Sequence, residues 1–313
     1  GASGLIGTAA VDAFLEAGWD VIAVSRRRPE TTSTRQYRHV PMNLQDAAEV
    51  EKAVADMSDV THVVYAAVYE KPGLIEGWTD PEQMSTNSAM LQNLINPLCK
   101  VASIKQVSLF QGTKAYGIHL HPMPIPARER YPRDNHENFY WLQEDYIKEK
   151  SAAENFDWTI FRPQLVVGPA VGVVMNLPPV IGVYAAICKE EGLPFGFPGG
   201  APYVWEAVDT RLIANALVWA ATTPNAAGTE KCSRGGTSGQ NLRMNSASKW
   251  GQTTRFHWAN FSQLRQRFGT ESSRNTDFVS LVSKKFWANP TTMRTSAWPT
   301  ARPNPLPPHS SVL

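Results

Sequence analysis

The first seven residues, Gly1-Ala2-Ser3-Gly4-Leu5-Ile6-Gly7, run directly into Thr8–Ala17, an amphipathic helical stretch stopped by Gly18. Three glycines spaced three apart at the mouth of a helix restrict this chain more than any other feature. Without Cβ atoms the backbone can approach an anionic group closely, and the partial positive charge of a helix N-terminus favours a phosphate there. The intervening Ser3, Leu5 and Ile6 belong to the same phosphate-binding turn. Next comes Asp20–Val24, an apolar run that reads as a buried strand, ending in Ser25-Arg26-Arg27-Arg28. Enzymes that use NAD place an acidic residue at this point, on the ribose 2′-hydroxyl. Guanidinium groups there would instead grip a 2′-phosphate. Ser25, Arg26 and Arg27 therefore predict NADPH as the cofactor.

The alternation of strand and helix continues along the chain. Strands are predicted at His39–Met42, Thr61–Ala67, Gln106–Phe110 and Trp158–Phe161. Helices are predicted at Asp46–Met57, Pro81–Ala102 with a break near Pro97, Asn138–Ala153, Leu177–Glu190 and Asp209–Ala221. Such spacing specifies an α/β fold, a doubly wound parallel sheet of the Rossmann type covered on both faces. No residue precedes Gly1 to form the strand that leads into the glycine turn. The expectation is a sheet with its first strand missing and unpaired backbone on both neighbouring strands.

Composition separates two regions, 1–228 and 229–313. The whole chain has 30 basic and 28 acidic residues, but residues 229–313 hold 12 Lys and Arg against 3 Asp and Glu. That stretch also lacks Ile and Tyr and contains 12 Ser, so it has little periodicity from which to build elements. It reads as an atypical basic tail, either disordered or the product of a frame slip in the coding sequence. Its scattered charges and missing recognition motif argue against a nucleic-acid arm. Three widely spaced cysteines suggest neither a disulfide framework nor a zinc site, and fit a reducing, cytoplasmic setting. The apolar stretch around Val180–Cys188 is too short to span a bilayer, so no membrane association is expected.

Two tyrosines compete for a catalytic role. Tyr146-Ile147-Lys148-Glu149-Lys150 matches the YxxxK pattern of short-chain reductases but stands only 16 residues before Arg162. Tyr140 begins a helix in Asn138-Phe139-Tyr140-Trp141-Leu142-Gln143-Glu144-Asp145, where Glu144 takes the usual place of the Lys. A replacement cation, Lys114, lies in Gln111-Gly112-Thr113-Lys114-Ala115-Tyr116-Gly117, directly after a predicted strand. The segment Tyr116–Asn135 reads as an ordered loop over the site. His119, His121 and His136 form no metal-binding spacing with a Cys or Glu, so no metal is expected.

With these motifs and the basic turn, the chain resembles the PRISE family, the progesterone 5β-reductase/iridoid synthase-like members of the extended short-chain dehydrogenase/reductases. The resemblance covers roughly Gly1–Gly228 and extends to Arg162-Pro163-Gln164, Met175-Asn176, Tyr184–Lys189 and the Trp205 segment. The details look more like bacterial members than plant ones. The resemblance implies NADPH-dependent 1,4-reduction of C=C bonds in enones and enals, with Tyr140 and Lys114 catalytic. It further implies cofactor contacts at Ala66, Gln111, Pro163 and Val166, and at Asn43-Leu44 against the adenine, where Asn43 departs from the usual Asp. Trp141, Met175, Asn176 and Trp205 are the implied substrate-pocket residues, completed by a small C-terminal lid region. The expected partner is a small enone or enal, and a homodimer is left open. Two alternatives stay open as well: a carbonyl reductase or epimerase/dehydratase working through Tyr146 and Lys150, and a non-catalytic NADP-binding protein.

Overall fold

The computed structural model describes residues 1–71, 76–170, 176–196, 207–223, 226 and 311–313. The chain divides into two compact units, the second of which takes Leu165–Asp209 from the part with regular structure.

The first unit carries a six-stranded parallel sheet. Its strands are β1 (Asp20–Val24), β2 (Arg38–Val40), β3 (Val60–Tyr65), β4 (Gln106–Phe110), β5 (Asp157–Phe161) and β8 (Ser311–Val312), in the spatial order β2-β1-β8-β3-β4-β5. Helices α2 (Ala47–Val54), α3 (Pro81–Val101) and α4 (Phe139–Glu154) pack side by side. Alternate strand residues Val63, Tyr65, Val107 and Leu109 share one apolar core with Leu91, Leu94, Ile95, Leu98 and Ile147 of these helices. The opposite strand phase faces α1 (Leu5–Glu16) and α6 (Thr210–Thr222), which pack on each other. On that side His62 meets Trp19 edge-on at 4.7 Å, and Trp19 meets Phe14 of α1 at 5.3 Å. Burial and the charge of Lys105 depress the His62 pKa to about 4, which a backbone hydrogen bond at Ala221 only partly opposes.

Local signals place the elements well. The Asp80 carboxylate accepts from the amides of Glu82 and Gln83, and Pro81 opens α3, the arrangement that starts helices most reliably. The expected break near Pro97 does not occur, and α3 runs through to Val101. Proline removes one hydrogen bond and crowds the preceding turn, but Leu94, Ile95 and Leu98 on both sides of it are buried and hold the helix in line.

The open sheet edges expected on either side of a missing strand are also not found. Ser311–Val312 lie between β1 and β3, parallel to both, in the slot of a strand that would run into the glycine turn. Val312 pairs with Val21 on one side and His62 on the other, Leu313 donates to the His62 carbonyl at 2.9 Å, and its own carbonyl accepts from Val64 at 2.8 Å. The sequence signal was too short to read: two Ser and two apolar residues carry no strand pattern of their own. The rest of 229–310, and with it the frame-slip or disordered-tail reading, lies outside the described residues.

The second unit contains β6 (Leu165–Val167) and β7 (Ala207–Asp209), paired in parallel, and α5 (Leu177–Glu190). Both strands are three residues long, below the length at which alternation is legible, and neither was anticipated.

Val312 is only 3% exposed and sits between two strands. Val312→Asp should therefore lower stability by about 3 kcal/mol or more, because a charge is buried where a methyl pair packed. A urea titration followed by circular dichroism should show the midpoint fall at nearly unchanged slope, whereas Val312→Ile should shift it little.

Candidate active site

The glycine turn is built by backbone contact. Ala2 N donates to the Val24 carbonyl at 3.1 Å, and Gly4 N donates to the Gly1 carbonyl at 3.0 Å, so the turn is tied to the end of β1. A Cβ on Gly7 would overlap the Gly1 carbonyl and come within 2.8 Å of the Ala2 Cα, and one on Gly1 would overlap the Ala66 backbone. Gly4 is the N-cap of α1, in extended conformation, with no side-chain hydrogen bond to the first-turn amides of Leu5, Ile6 and Gly7. This close packing brings the N-terminus of α1 against the sheet, where its free amide donors fit a dinucleotide pyrophosphate. Ser3 lies within the same turn.

The basic turn adjoins it, and the charge of Arg26 reaches the Gly1 amine. Ser25 is buried and donates through Oγ to the Arg27 carbonyl at 2.6 Å, which closes the turn on itself. His39 Nε2 lies 3.1 Å from the Ser25 carbonyl. Arg28 stacks on the Tyr37 ring at 4.7 Å. Arg26 and Arg27 project into solvent and, among the described residues, form no ion pair. Asn43 is exposed, and its side chain accepts from Gln45 N in a local turn. Leu44 is buried in the core shared by α2 and α3.

Past the carboxyl ends of β4 and β5, on the same edge of the sheet, a second group of residues assembles around a ring not identified from the sequence. Lys114 lies on the 3-10 turn Thr113–Tyr116, directly after β4, with Nζ 4.0 Å from the centre of the Trp78 ring. Tyr140, in the first turn of α4, packs edge-on against the same ring at 5.0 Å. Its hydroxyl occupies the space that Gly112 leaves open, where a Cβ would stand 3.3 Å away. Trp78 Nε1 donates to Glu70 Oε1 at 3.3 Å. Burial lowers the Lys114 pKa, with the Glu70 charge acting the other way. Burial, with Glu70 adding to it, raises the Tyr140 pKa well above that of an ordinary phenol. Tyr140 is therefore a neutral hydroxyl donor at neutral pH. A neutral donor beside a desolvated ammonium can stabilise an oxygen that gains negative charge.

The competing tyrosine stands elsewhere. Tyr146 packs against the apolar core, its hydroxyl donates to Asn96 Oδ1 at 2.9 Å, and Lys150 pairs with Glu154 at 2.9 Å.

Glu144, at the position where YxxxK enzymes carry lysine, is 6% exposed, accepts hydrogen bonds from three donors and pairs with a fourth cationic group. Gln111 Nε2 stands at 2.9 Å, Lys148 Nζ at 2.7 Å, and Arg162 and Arg133 at 3.1 Å each. Gln111 also donates to the Tyr140 carbonyl at 3.1 Å, and its Oε1 accepts from Arg162 Nε at 2.7 Å. The network thus joins the end of β4, the start of α4 and the residue after β5. Burial pushes the Glu144 pKa up, but the hydrogen bonds from Lys148 and Gln111 and the charges of Lys148 and Arg162 together outweigh it and leave it at about 2. Trp141 is buried and lies between guanidinium groups, 4.7 Å from Arg133 and 5.7 Å from Arg162. Pro163 follows in this unit, with its carbonyl 3.6 Å from where a Gly112 Cβ would stand.

In the second unit, Val166 pairs with Val208, and Asn176 donates to the Gly168 carbonyl at 2.7 Å while its own Oδ1 is buried without a partner. Met175 and Trp205 lie outside the described residues. Among the described residues no three His, Cys, Asp or Glu side chains come together to hold a metal, and no helix is long and apolar enough to cross a membrane. Trp78 and Glu70 were not singled out from the sequence as site residues. No local pattern marks them, because only the loop after β3 brings them to Lys114.

A Rossmann sheet with a glycine turn at one end and a Tyr/Lys pair after β4 defines a nucleotide-dependent short-chain dehydrogenase/reductase scaffold. The chain belongs to the NAD dependent epimerase/dehydratase family, whose sequence model matches residues 1–231. Among curated proteins it is 34% identical over 227 residues to the 3-oxo-Delta(4,5)-steroid 5-beta-reductase of Arabidopsis thaliana, an alignment covering 66% of this chain and 55% of the relative. It is 32% identical over 221 residues to the (S)-8-oxocitronellyl enol synthase of Antirrhinum majus, covering 66% and 54%. These are relatives of the PRISE type. The chain spans about half the length of the curated relatives it matches. UDP-glucose 4-epimerase from Bifidobacterium longum, solved with NAD+ and UDP, shares the fold with a TM-score of 0.56 at 20% identity over 72% of this chain and 73% of that one.

The depressed Glu144 pKa makes a testable contribution to stability. A carboxylate held below its ordinary value stabilises the fold above about pH 4.5, and that stability is lost as pH falls toward 2. Wild type should exceed Glu144→Gln by about 3 kcal/mol at pH 7, a gap that closes between pH 4.5 and 2. Urea midpoints of both proteins across that window measure it. A gap that stays constant with pH contradicts the ionised network.

Proposed function

We propose that this chain carries the site of an NADPH-dependent reductase of activated C=C bonds, acting on enones or enals. The observation that carries the reading is the convergence of the Lys114 ammonium and the Tyr140 ring on Trp78, while the tyrosine of the YxxxK match is bound to Asn96. The names of the curated relatives support it. One is a reductase of a 3-oxo-Δ4,5 steroid, an enone, and the other forms an enol.

The glycine turn would hold the cofactor pyrophosphate, with Leu44, Ala66, Gln111 and Pro163 as further contacts and Asn43 toward the adenine. Arg26 and Arg27, exposed and without an ion pair among the described residues, would bind the 2′-phosphate. When bound, NADPH would supply the hydride for the β-carbon of the acceptor, and water would return a proton to the α-carbon of the resulting enolate. The chain's own part is to receive the charge that develops on the carbonyl oxygen. The Tyr140 hydroxyl donates a hydrogen bond to that oxygen, and the Lys114 ammonium offsets its charge. Because Tyr140 is held neutral, it enters the reaction already as a donor, with no change of protonation needed to form the oxyanion hole. Reduction of an isolated ketone would instead create a more basic alkoxide and require proton transfer from a coupled Tyr/Lys acid. Glu144 in place of that lysine favours the conjugate reaction. Trp141 is proposed to border the substrate on the side of α4.

An NADPH-oxidation assay against matched enones, enals and saturated ketones tests the assignment. Tyr140→Phe should lower kcat/KM by about 100-fold on the conjugated acceptors, while Tyr146→Phe should change it by less than about threefold. Activity confined to saturated ketones, or lost through Tyr146 alone, would sink the reading. NADPH binding with no acceptor reduced would favour the non-catalytic alternative. Separately, replacing Arg26 and Arg27 together by Ser should raise the KM for NADPH at least tenfold and leave that for NADH nearly unchanged, because only the 2′-phosphate loses its charged partners.

A further inference from the structure

His119 and His136 have no part in the mechanism above, yet they are the least satisfied polar side chains near it. Their rings lie 4.9 Å apart at 62°, and His119 is 6.0 Å from the Trp78 ring that also bears Lys114 and Tyr140. All four ring nitrogens are buried and lack a hydrogen-bond partner. Buried polar groups in folded proteins are nearly always paired, and a cluster of unpaired ones beside a reaction centre marks where a ligand's polar atoms belong.

The loop is built to hold this pair. Gly117, at φ +68°, turns the chain after Lys114, and its carbonyl accepts from the amides of Leu120 and His121 at 2.8 and 3.0 Å. His121 Nε2 then bonds Asp134 Oδ1 at 2.8 Å, and His136 N donates to the Asp134 carbonyl at 2.9 Å. The His121–Asp134 clasp joins the two arms two residues away from each orphaned imidazole. Arg133 anchors the second arm through two hydrogen bonds to Asp145 at 2.7 and 2.8 Å.

We propose that His119 and His136 form the polar end of the substrate pocket and bind a hydroxyl group that the substrate carries away from the reduced bond. The proposal rests on the reductase assignment of the same site and narrows its substrate class to hydroxylated enones or enals. Burial, with His136 and Lys114 adding to it, keeps the His119 pKa low and its ring neutral. A neutral imidazole presents one N–H and one lone pair. A hydroxyl can donate to one ring and accept from the other, leaving each ring a single remaining site. A carboxylate or carbonyl oxygen only accepts, so it engages the pair only where both rings turn an N–H toward it, whereas a hydroxyl meets one N–H and one lone pair. A metal ion would need a third ligand, and His121, the nearest candidate in sequence, is committed to Asp134.

Two measurements on the full chain test this. In the first, kcat/KM with NADPH is compared for (E)-2-enals of six to ten carbons with and without a terminal hydroxyl. At one or two chain lengths the hydroxylated member should be favoured at least tenfold, and His119→Gln or His136→Phe should bring that ratio close to one. Sites built to hydrogen-bond a hydroxyl discriminate strongly against the analogue that lacks it. In the second, the imidazole NMR signals of the wild-type protein are followed as 1-hexanol or its methyl ether is added. The alcohol should shift signals that the two substitutions assign to His119 and His136, and the ether should shift them less. Absence of any hydroxyl preference, or a preference that survives both substitutions, overturns the proposal. If no enal is reduced but the alcohol still shifts both imidazoles, the reductase assignment fails and the hydroxyl site stands. If enals are reduced and neither imidazole responds, the assignment stands and the site is refuted.

Discussion

Direct backbone contact at Gly1 and Gly7 is the constraint on which the rest of the first unit depends. A side chain at either position would overlap main-chain atoms of Ala66 or of the turn itself. Because nothing intervenes, the N-terminus of α1 lies against the ends of β1 and β3, beside Arg26 and Ala66. A helix entered through bulkier residues would stand away from the sheet, and its amides would not point where a pyrophosphate fits. The close approach also needs an occupied slot between β1 and β3. Ser311–Val312 fill it and give both neighbouring strands a partner for their amides and carbonyls.

A second constraint acts at the carboxyl ends of β4 and β5, along the same edge of the parallel sheet as the glycine turn. The carboxylate of Glu144, ionised and buried, gathers Gln111, Lys148, Arg133 and Arg162 around one point. Loss of the helical lysine is therefore a change of role and not simply a vacancy. The position that in YxxxK enzymes carries a reacting cation here holds an anion that anchors the framework, and in the proposed site Lys114 supplies the cation. Trp78 gives Lys114 an apolar, electron-rich surface that accepts its charge away from water. The Lys114 ammonium and the Tyr140 ring thus reach a common indole from two different elements.

Much of this was legible in the residues. The glycine turn, the apolar run Asp20–Val24, the Asp80-Pro81 helix start and the strand Gln106–Phe110 each carry a strong local pattern, and each appears where that pattern places it. Tyr140 and Lys114 were identified as a pair because each lies in a motif. Other features had no pattern to read. β6, β7 and β8 are two or three residues long, too short for alternation to show. Pro97 carries a strong breaking signal, yet buried contacts on both sides of it override the local preference. Trp78 and Glu70 owe their importance to neighbours far along the chain.

By itself the sequence determined the alternation of strands and helices, the glycine turn that opens α1 and the basic residues that follow β1, since these follow from glycine sterics, periodicity and charge within a few residues. Only the tertiary structure decided which strand fills the centre of the sheet, which tyrosine packs on the ring that carries Lys114, which donors Glu144 gathers and which histidines are left without partners. Those outcomes depend on burial and on partners separated by tens or hundreds of residues. An imidazole or a carboxylate has the same formula in water and in a closed loop, and the surroundings that distinguish its roles exist only once the chain has folded.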